Sequence, residues 1–213
     1  MQMNGFLLLG CAECCMLAVM AYDRYNAICH PLLYNTIMRR IVCIQLVIGS
    51  WLIGTTIGFL QTIFIFSLPF CRSNRINHFY CDMLPLISLA CGNTKFNEII
   101  MLIFTIIVVV GPFILTVISY TNIISTIIKH HSAGSRKKAF STCTSHLIVV
   151  SMFYGSGSIM YLRPKSSYGV GEEKFLSLIY TIFAPLLNPF IYTLRNKDVK
   201  NAVKKICEIK IAL

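Results

Sequence analysis

The stretch MAYDRYNAICHP, residues 20–31, ends the first apolar run of the chain. That run begins at Phe6 and contains one charged residue, Glu13. An acid, an arginine, a tyrosine and then a proline at its end are typical of a membrane helix that reaches the bilayer surface. Arg24 is always protonated, so it must reach water or pair, and adjacent Asp23 is the expected partner. A single arginine at a helix end also acts as a simple interfacial anchor.

The composition indicates a membrane protein. Hydrophobic residues make up 56% of the 213 residues and charged residues only 13%, and the mean hydropathy is +0.70. A soluble domain of this length could not bury so much apolar surface in one core. The formal net charge of +11 is interpreted as charge that flanks the membrane, not as a nucleic-acid surface. The ten cysteines lack the paired spacing of metal sites, so we expect no metal and no cofactor.

The apolar segments predict an all-α membrane protein in a single domain, because backbone groups in lipid must be hydrogen-bonded within helices. By the length rule for membrane helices, the candidate spans are about 2–27, 41–66, 97–128, 139–162 and 174–194. A tail over 197–210 alternates apolar residues with lysines at helical intervals, which is typical of a helix lying on anionic lipid.

The distribution of lysine and arginine predicts the orientation of these spans. Most of the 19 basic residues fall near 24–40, 129–138 and 195–210, which all lie on one side of the predicted membrane. That side should be cytoplasmic, which places the N-terminus outside and Asp23 and Arg24 at the cytosol. The opposite side carries a long loop with Cys71, Cys81 and Cys91. Three thiols in an oxidising compartment cannot all pair with one another, so one needs a partner elsewhere.

Three motifs together resemble the olfactory receptor family of heptahelical G-protein-coupled receptors. They are MAYDRYNAIC at 20–29, KAFSTCTSHL at 138–147 and PLLNPFIYTLRN at 185–196. The first departs from the family pattern only at Asn26, where the family usually has valine. The resemblance implies that the five spans correspond to the third to seventh helices of a receptor shortened at its N-terminus. It also implies a Cys71–Cys91 disulfide, with the partner of Cys81 located upstream of this chain.

The resemblance implies two sets of functional residues. The odorant-binding set lies in the outer halves of three spans and comprises Phe6, Leu7, Gly10, Cys11, Phe104, Val108, Tyr154, Gly157 and Tyr161. The activation and G-protein coupling set lies near the cytoplasmic ends and comprises Asp23, Arg24, Tyr25, Tyr120, Asn188, Pro189 and Tyr192. A buried tyrosine offers a wide apolar surface with one hydroxyl, which suits a small, mostly apolar ligand. Aromatic residues at helical spacing also simply fill helix-bundle cores.

The leading interpretation is an odorant receptor of the plasma membrane that binds small volatile molecules and activates a heterotrimeric stimulatory G protein, which raises cyclic AMP. The alternative is a non-signalling fragment that is retained in the endoplasmic reticulum or only associates with other membrane proteins. A channel or transporter is a weaker third interpretation, since the paired internal repeats of many transporters are not found. No phosphate-binding loop or nucleophile turn indicates an enzyme.

Overall fold

The computed structural model describes residues 2–71, 76, 78–81, 83–92, 94–130, 133–161, 175, 177–195, 199 and 201–202. The helices fall into two compact units, Met1–Ser132 and Ala133–Leu213. The first contains α1 Gln2–Cys29, α2 Tyr34–Ile37, α3 Arg40–Phe66, α4 Met83–Leu89, α5 Lys95–Thr105, a π-helical turn π1 Ile106–Val110, and α6 Gly111–His130. The second contains α7 Ala133–Tyr161, a π-helical turn π2 Ile179–Phe183, and α8 Ala184–Arg195.

The prediction of an all-α fold is confirmed. Over the described ranges the chain is almost entirely helical, and its extended pairing is limited to an isolated antiparallel bridge between Phe70 and Ala90. Three of the described helical stretches are long and apolar enough to cross a membrane: Gln2–Cys29, Arg40–Phe66 and Lys95–Lys129. The predicted tail at 197–210 lies outside the described residues, except for 199, 201 and 202.

Helix α3 has the surface pattern of a membrane helix. Its buried face carries small or polar residues and one isoleucine: Ser50, Gly54, Gly58, Gln61 and Ile65. Its exposed face carries large apolar side chains, among them Ile48, Leu52, Phe59 and Ile63. A helix of a water-soluble protein shows the opposite arrangement, with its apolar stripe facing the core. Such an apolar outer face is suited to lipid, and small residues let helices approach closely.

Glycines on α3 bring its backbone against that of α1. A Cβ atom built on Gly54 would lie 2.8 Å from the Leu8 carbonyl oxygen and 2.9 Å from the Ala12 nitrogen. A Cβ built on Gly58 would lie 2.9 Å from the Leu8 nitrogen. The two glycines stand four residues apart, the spacing that places small residues on one helix face in membrane helix pairs. We call this contact of Gly54 and Gly58 with Leu8 and Ala12 the glycine seam.

Prolines shape the later helices. Pro112 has no N–H, and the π1 turn directly before it is closed by a bond from the Gly111 N–H to the Ile106 carbonyl, five residues back. Pro189 lies inside α8. The threonine four residues after each proline donates to the proline's carbonyl oxygen, from Thr116 at 2.9 Å and from Thr193 at 2.7 Å. Each hydroxyl thus bonds a backbone carbonyl one turn earlier in its own helix.

Candidate functional site

The C-terminal end of α1 is linked to α2 through Asp23. The Tyr34 hydroxyl on α2 donates to Asp23 Oδ1 at 2.8 Å. This hydrogen bond raises the pKa of Tyr34, burial and the carboxylate charge add to the shift, and the Arg24 charge opposes it. Asp23 is therefore hydrogen-bonded to Tyr34, a partner beyond the adjacent Arg24 that the sequence suggests. The sequence analysis did not identify Tyr34. The sequence offered one signal for it, a tyrosine eleven residues after Asp23.

Two further side-chain contacts hold the same region. The Tyr25 hydroxyl lies 3.1 Å from His30 Nε2, and the two rings meet edge to face. The Cys29 thiol donates to the Thr126 hydroxyl at 3.3 Å, which joins the last turn of α1 to α6. The end of α1 is thus held by polar side chains, which can exchange partners without repacking a core.

Asn26, the one departure from the motif, is buried with an exposed fraction of 2%. Its side-chain nitrogen donates to the Tyr22 carbonyl at 2.8 Å, one turn earlier in α1. The polar group is therefore hydrogen-bonded within its own helix. This explains how an asparagine is accommodated at a buried position where the motif has valine.

Two other members of the predicted coupling set lie in the first unit. Arg24 is half-buried on α1. Tyr120 is buried on α6, a helix that packs against α1. Next to this region, Leu32 and Leu33 are exposed by 96% and 57% of their surface. Two leucines exposed in a short loop beside a polar cluster form a surface that another protein can cover.

The N-terminal half of α1 carries the first predicted odorant-binding residues. A Cβ built on Gly10 meets nothing within 4 Å, so the helix has open space beside it. Cys11 is buried. The Phe6 ring lies 5.4 Å from the Tyr80 ring of the outer loop. Leu7 is partly buried and packs against the core cluster of Met3, Ile65, Leu86 and Met101.

Phe104 and Val108 lie on α5 and π1. The Phe104 ring is 6.3 Å from the Phe64 ring of α3, and Val108 is buried in the π-helical turn. The π1 turn and α1 pack against each other. The Asn97 side-chain nitrogen donates to the Phe64 carbonyl at 2.7 Å and fixes the start of α5 to the end of α3. The outer part of the first unit therefore combines apolar side chains from α1, α3, α5 and π1.

The remaining predicted residues belong to the second unit. On α7, Tyr154 is half-buried and its ring meets the Phe153 ring edge to face at 5.3 Å. Gly157 is half-buried on the same helix, and the Tyr161 side chain lies outside the described residues. Helix α8 carries the last three members of the predicted coupling set, Asn188, Pro189 and Tyr192. Pro189 is exposed and the other two are half-buried.

A disulfide between Cys71 and Cys91 closes the segment that joins α3 to α5, with their Cα atoms 5.8 Å apart. The backbone supports it through the Phe70–Ala90 bridge and through the Cys91 N–H, which donates to the Pro69 carbonyl at 2.8 Å. Cys81 is a free thiol at the edge of the core cluster. Among the described residues, histidine, cysteine and carboxylate side chains form no group of three that could hold a metal ion.

Comparison with known proteins now identifies the family. A family profile described as "Olfactory receptor" matches residues 2–210. The chain belongs to the olfactory receptor family. Olfactory receptor 10AG1 of Homo sapiens is 53% identical over 205 residues, which cover 96% of this chain and 68% of the relative. Olfactory receptor 10A7 of Homo sapiens is 48% identical over 210 residues, covering 99% of this chain and 66% of the relative.

A third human relative, olfactory receptor 10C1, is 47% identical over 205 residues, 96% of this chain and 66% of its own length. The chain thus spans about two thirds of the length of these curated relatives. Olfactory receptors are G-protein-coupled receptors with a seven-helix bundle and are not enzymes, so the predicted family and the non-enzymatic class are confirmed. Together with the apolar helices, the relatives indicate a multi-pass membrane protein.

Beyond Tyr34, sequence reasoning missed two features of the first unit. The sequence did contain a signal for the glycine seam, because Gly54 and Gly58 lie four residues apart in an apolar span. This spacing favours close contact between helices. The packing of the outer-loop Tyr80 against Phe6 had no signal in periodicity, since it joins residues far apart in the sequence.

Proposed function

We propose that this chain forms the odorant-binding and G-protein-coupling part of an olfactory receptor. The ligand is a small, mostly apolar volatile molecule that contacts the outer half of α1 and the neighbouring part of α5 and π1. The observation that carries this proposal is the open space at Gly10, which adjoins buried Cys11 on a helix that also carries Phe6 and Leu7. Binding sites for small molecules are concave and mostly apolar, with few polar groups. Tyr154, Gly157 and Tyr161 are further candidate contacts in the second unit.

The cytoplasmic end of α1 supports the coupling half of the proposal. A ligand that binds one arrangement of the helices more tightly shifts the population toward that arrangement. Here Asp23, Tyr25 and Cys29 are held by side-chain hydrogen bonds that can be exchanged. The exposed Leu32 and Leu33 provide an apolar contact for a partner protein. The proposed partner is the stimulatory G protein, with Arg24, Tyr120, Asn188, Pro189 and Tyr192 as further candidate residues.

In this proposal the protein lies in the plasma membrane with its N-terminus outside and its C-terminus in the cytosol. The three named relatives are all olfactory receptors. They give no preference to the alternative of a non-signalling fragment.

Replacement of Arg24 tests the coupling assignment. We expect Arg24→Ala to abolish the odorant-stimulated rise in cyclic AMP in cells that express the protein, because it removes the boundary cation next to the Asp23–Tyr34 pair. Surface labelling of an extracellular tag should remain measurable. Arg39→Ala is the matched control, since Arg39 is exposed immediately before α3, and it should respond as the wild type does. A normal cyclic AMP response from Arg24→Ala would contradict the assignment.

A further inference from the structure

His78 in the outer loop has one ring nitrogen bonded and the other buried. Its Nδ1 lies 3.1 Å from the Tyr80 carbonyl oxygen. A carbonyl oxygen only accepts hydrogen bonds, so Nδ1 carries the proton and donates. In the neutral ring Nε2 is then an acceptor. Within the described part of the chain, Nε2 is buried and has no hydrogen-bond partner.

The His78 ring belongs to an aromatic chain that leads to α1. It meets the Tyr80 ring edge to face, with ring centres 4.8 Å apart. The Tyr80 ring in turn lies 5.4 Å from the ring of Phe6, one of the proposed odorant contacts. His78 is therefore one aromatic ring away from the proposed ligand site.

The loop around His78 is packed onto the outer end of the first unit. Ile76 and Cys81, on either side of it, pack against the core cluster that contains Met3 and Ile65. Leu7, another proposed odorant contact, packs against the same cluster. The residues that flank His78 and one proposed odorant contact thus pack against the same apolar cluster.

A buried acceptor without a donor costs free energy, because it has lost its hydrogen bonds to water. A ligand that brings a hydroxyl hydrogen removes that cost, whereas a ligand of equal size without a donor does not. A site built to bond a hydroxyl discriminates strongly against analogues that lack it. The buried His78 Nε2 therefore favours odorants that carry a hydrogen-bond donor.

We infer that His78 Nε2 accepts a hydrogen bond from the ligand, and that the receptor prefers odorants with a hydroxyl donor, such as primary alcohols. This inference rests on the proposed odorant-binding function and specifies its ligand class. His78 acts as the polar anchor of the site, while Phe6, Leu7 and Cys11 provide its apolar contacts.

The test uses isomeric pairs of a primary alcohol and a methyl ether, from butanol to decanol, on cells that express the protein with a cyclic AMP reporter. The members of a pair share one formula and differ in the donor hydrogen. Since one hydrogen bond is worth about 1.4 kcal/mol, we expect a roughly tenfold lower half-maximal concentration for the alcohol. Binding is followed independently by ligand-induced thermal stabilisation of the protein in membranes.

Two substitutions test the contributions of the two His78 ring nitrogens separately. His78→Asn keeps a polar atom near the Nδ1 position but not near Nε2, and should bring the alcohol-to-ether ratio close to one. His78→Gln keeps a polar atom near Nε2, and should retain most of the preference. Phe79→Leu, at the exposed neighbouring residue, is the control and should leave the ratio unchanged.

The outcomes distinguish the inference from the function on which it rests. A wild type that responds to alcohols and ethers equally, or a His78→Asn variant that keeps the alcohol preference, would overturn the inference and leave the odorant-binding proposal intact. A preference that survives in His78→Asn but not in His78→Gln would assign His78 a structural role through Nδ1. A wild type at the cell surface that neither binds nor responds to any member of the panel would overturn both.

Discussion

Helix α1 is held in two different ways along its length. In its N-terminal half it lies against α3 so closely that a Cβ on Gly54 would be 2.8 Å from the Leu8 carbonyl oxygen. At its C-terminal end it is held by three side-chain hydrogen bonds to residues beyond the helix, and the Asp23–Tyr34 bond at 2.8 Å is the shortest of these three. The region around Leu8 is fixed by close backbone contact, whereas the region around Asp23 is held by polar side chains that can exchange partners.

The difference indicates a division of roles within one helix. Close packing has few alternative arrangements, because a small gap already loses much of the dispersion energy. A hydrogen bond near water contributes only about 0.5–1.5 kcal/mol net, since water can replace either partner. The glycine seam is therefore suited to hold a fixed wall beside a ligand site. The polar end is suited to change partners when a ligand shifts the helix population.

The largest expected effect comes from adding one methyl group to the glycine seam. In Gly58→Ala the new Cβ would lie 2.9 Å from the Leu8 nitrogen and 3.1 Å from its Cα. These are backbone atoms of a helix, so they cannot move aside as a side chain would. We expect a loss of about 1–3 kcal/mol in the free energy of unfolding. Thermal unfolding of the purified protein would measure it.

Gly49 on the same helix provides the matched control, because a Cβ there meets nothing within 4 Å. Gly49→Ala should stabilise the protein by up to about 1 kcal/mol through helix propensity alone. The two alanine substitutions should thus have opposite signs. Equal effects at the two positions would mean that α1 and α3 are not in backbone contact.

The second prediction concerns the open face of α1. Gly10 shares its helix with the seam, but a Cβ there meets nothing within 4 Å. Gly10→Val should therefore leave thermal unfolding almost unchanged while it fills the space proposed for the ligand. We expect the half-maximal odorant concentration to rise about tenfold, equivalent to about 1.4 kcal/mol, in the cyclic AMP assay.

Gly49→Val serves as the control for this change, since it adds the same side chain in open space on another helix. Its odorant response should match the wild type. If Gly10→Val lowers surface expression as strongly as Gly58→Ala does, the space beside Gly10 is structural and does not belong to the ligand site.

Local patterns made the helices predictable. The apolar run ending at residue 29 and the long stretch at 40–66 are continuous, and their length leaves few alternatives in a membrane. The π1 turn precedes Pro112, whose missing N–H changes the hydrogen bonding one turn earlier in the helix. The C-terminal tail and the Tyr161 side chain fall outside the described residues.

The site was less predictable, because its contacts join residues far apart in the chain. The motif suggested that Arg24 pairs with the adjacent Asp23, whereas the hydrogen bond described at Asp23 comes from Tyr34, eleven residues away. Likewise, nothing in the periodicity of α1 placed Tyr80 against Phe6. Helix periodicity reports which face is apolar, not which loop covers it.

The smallest expected effect lies at the polar end of α1. Tyr34→Phe removes the hydroxyl that donates to Asp23 and leaves the α2 backbone unchanged, including the bond from the Met38 N–H to the Tyr34 carbonyl at 2.8 Å. We expect amide hydrogen exchange over 33–38 to accelerate about fivefold, which corresponds to about 1 kcal/mol. Tyr22→Phe, at an exposed tyrosine of α1, should leave that exchange unchanged.

Titration of Tyr34 sharpens the same test. The bond to Asp23 raises the pKa of Tyr34, so its stabilisation is present below the ordinary tyrosine pKa of about 10 and is lost as pH rises through the raised value. Subtracting the phenolate absorbance of Tyr34→Phe from that of the wild type isolates this one ring. Its midpoint should lie above the ordinary tyrosine value of about 10. A midpoint at that ordinary value would mean that the Asp23–Tyr34 bond does not hold the end of α1, which would then depend on the Tyr25–His30 and Cys29–Thr126 contacts.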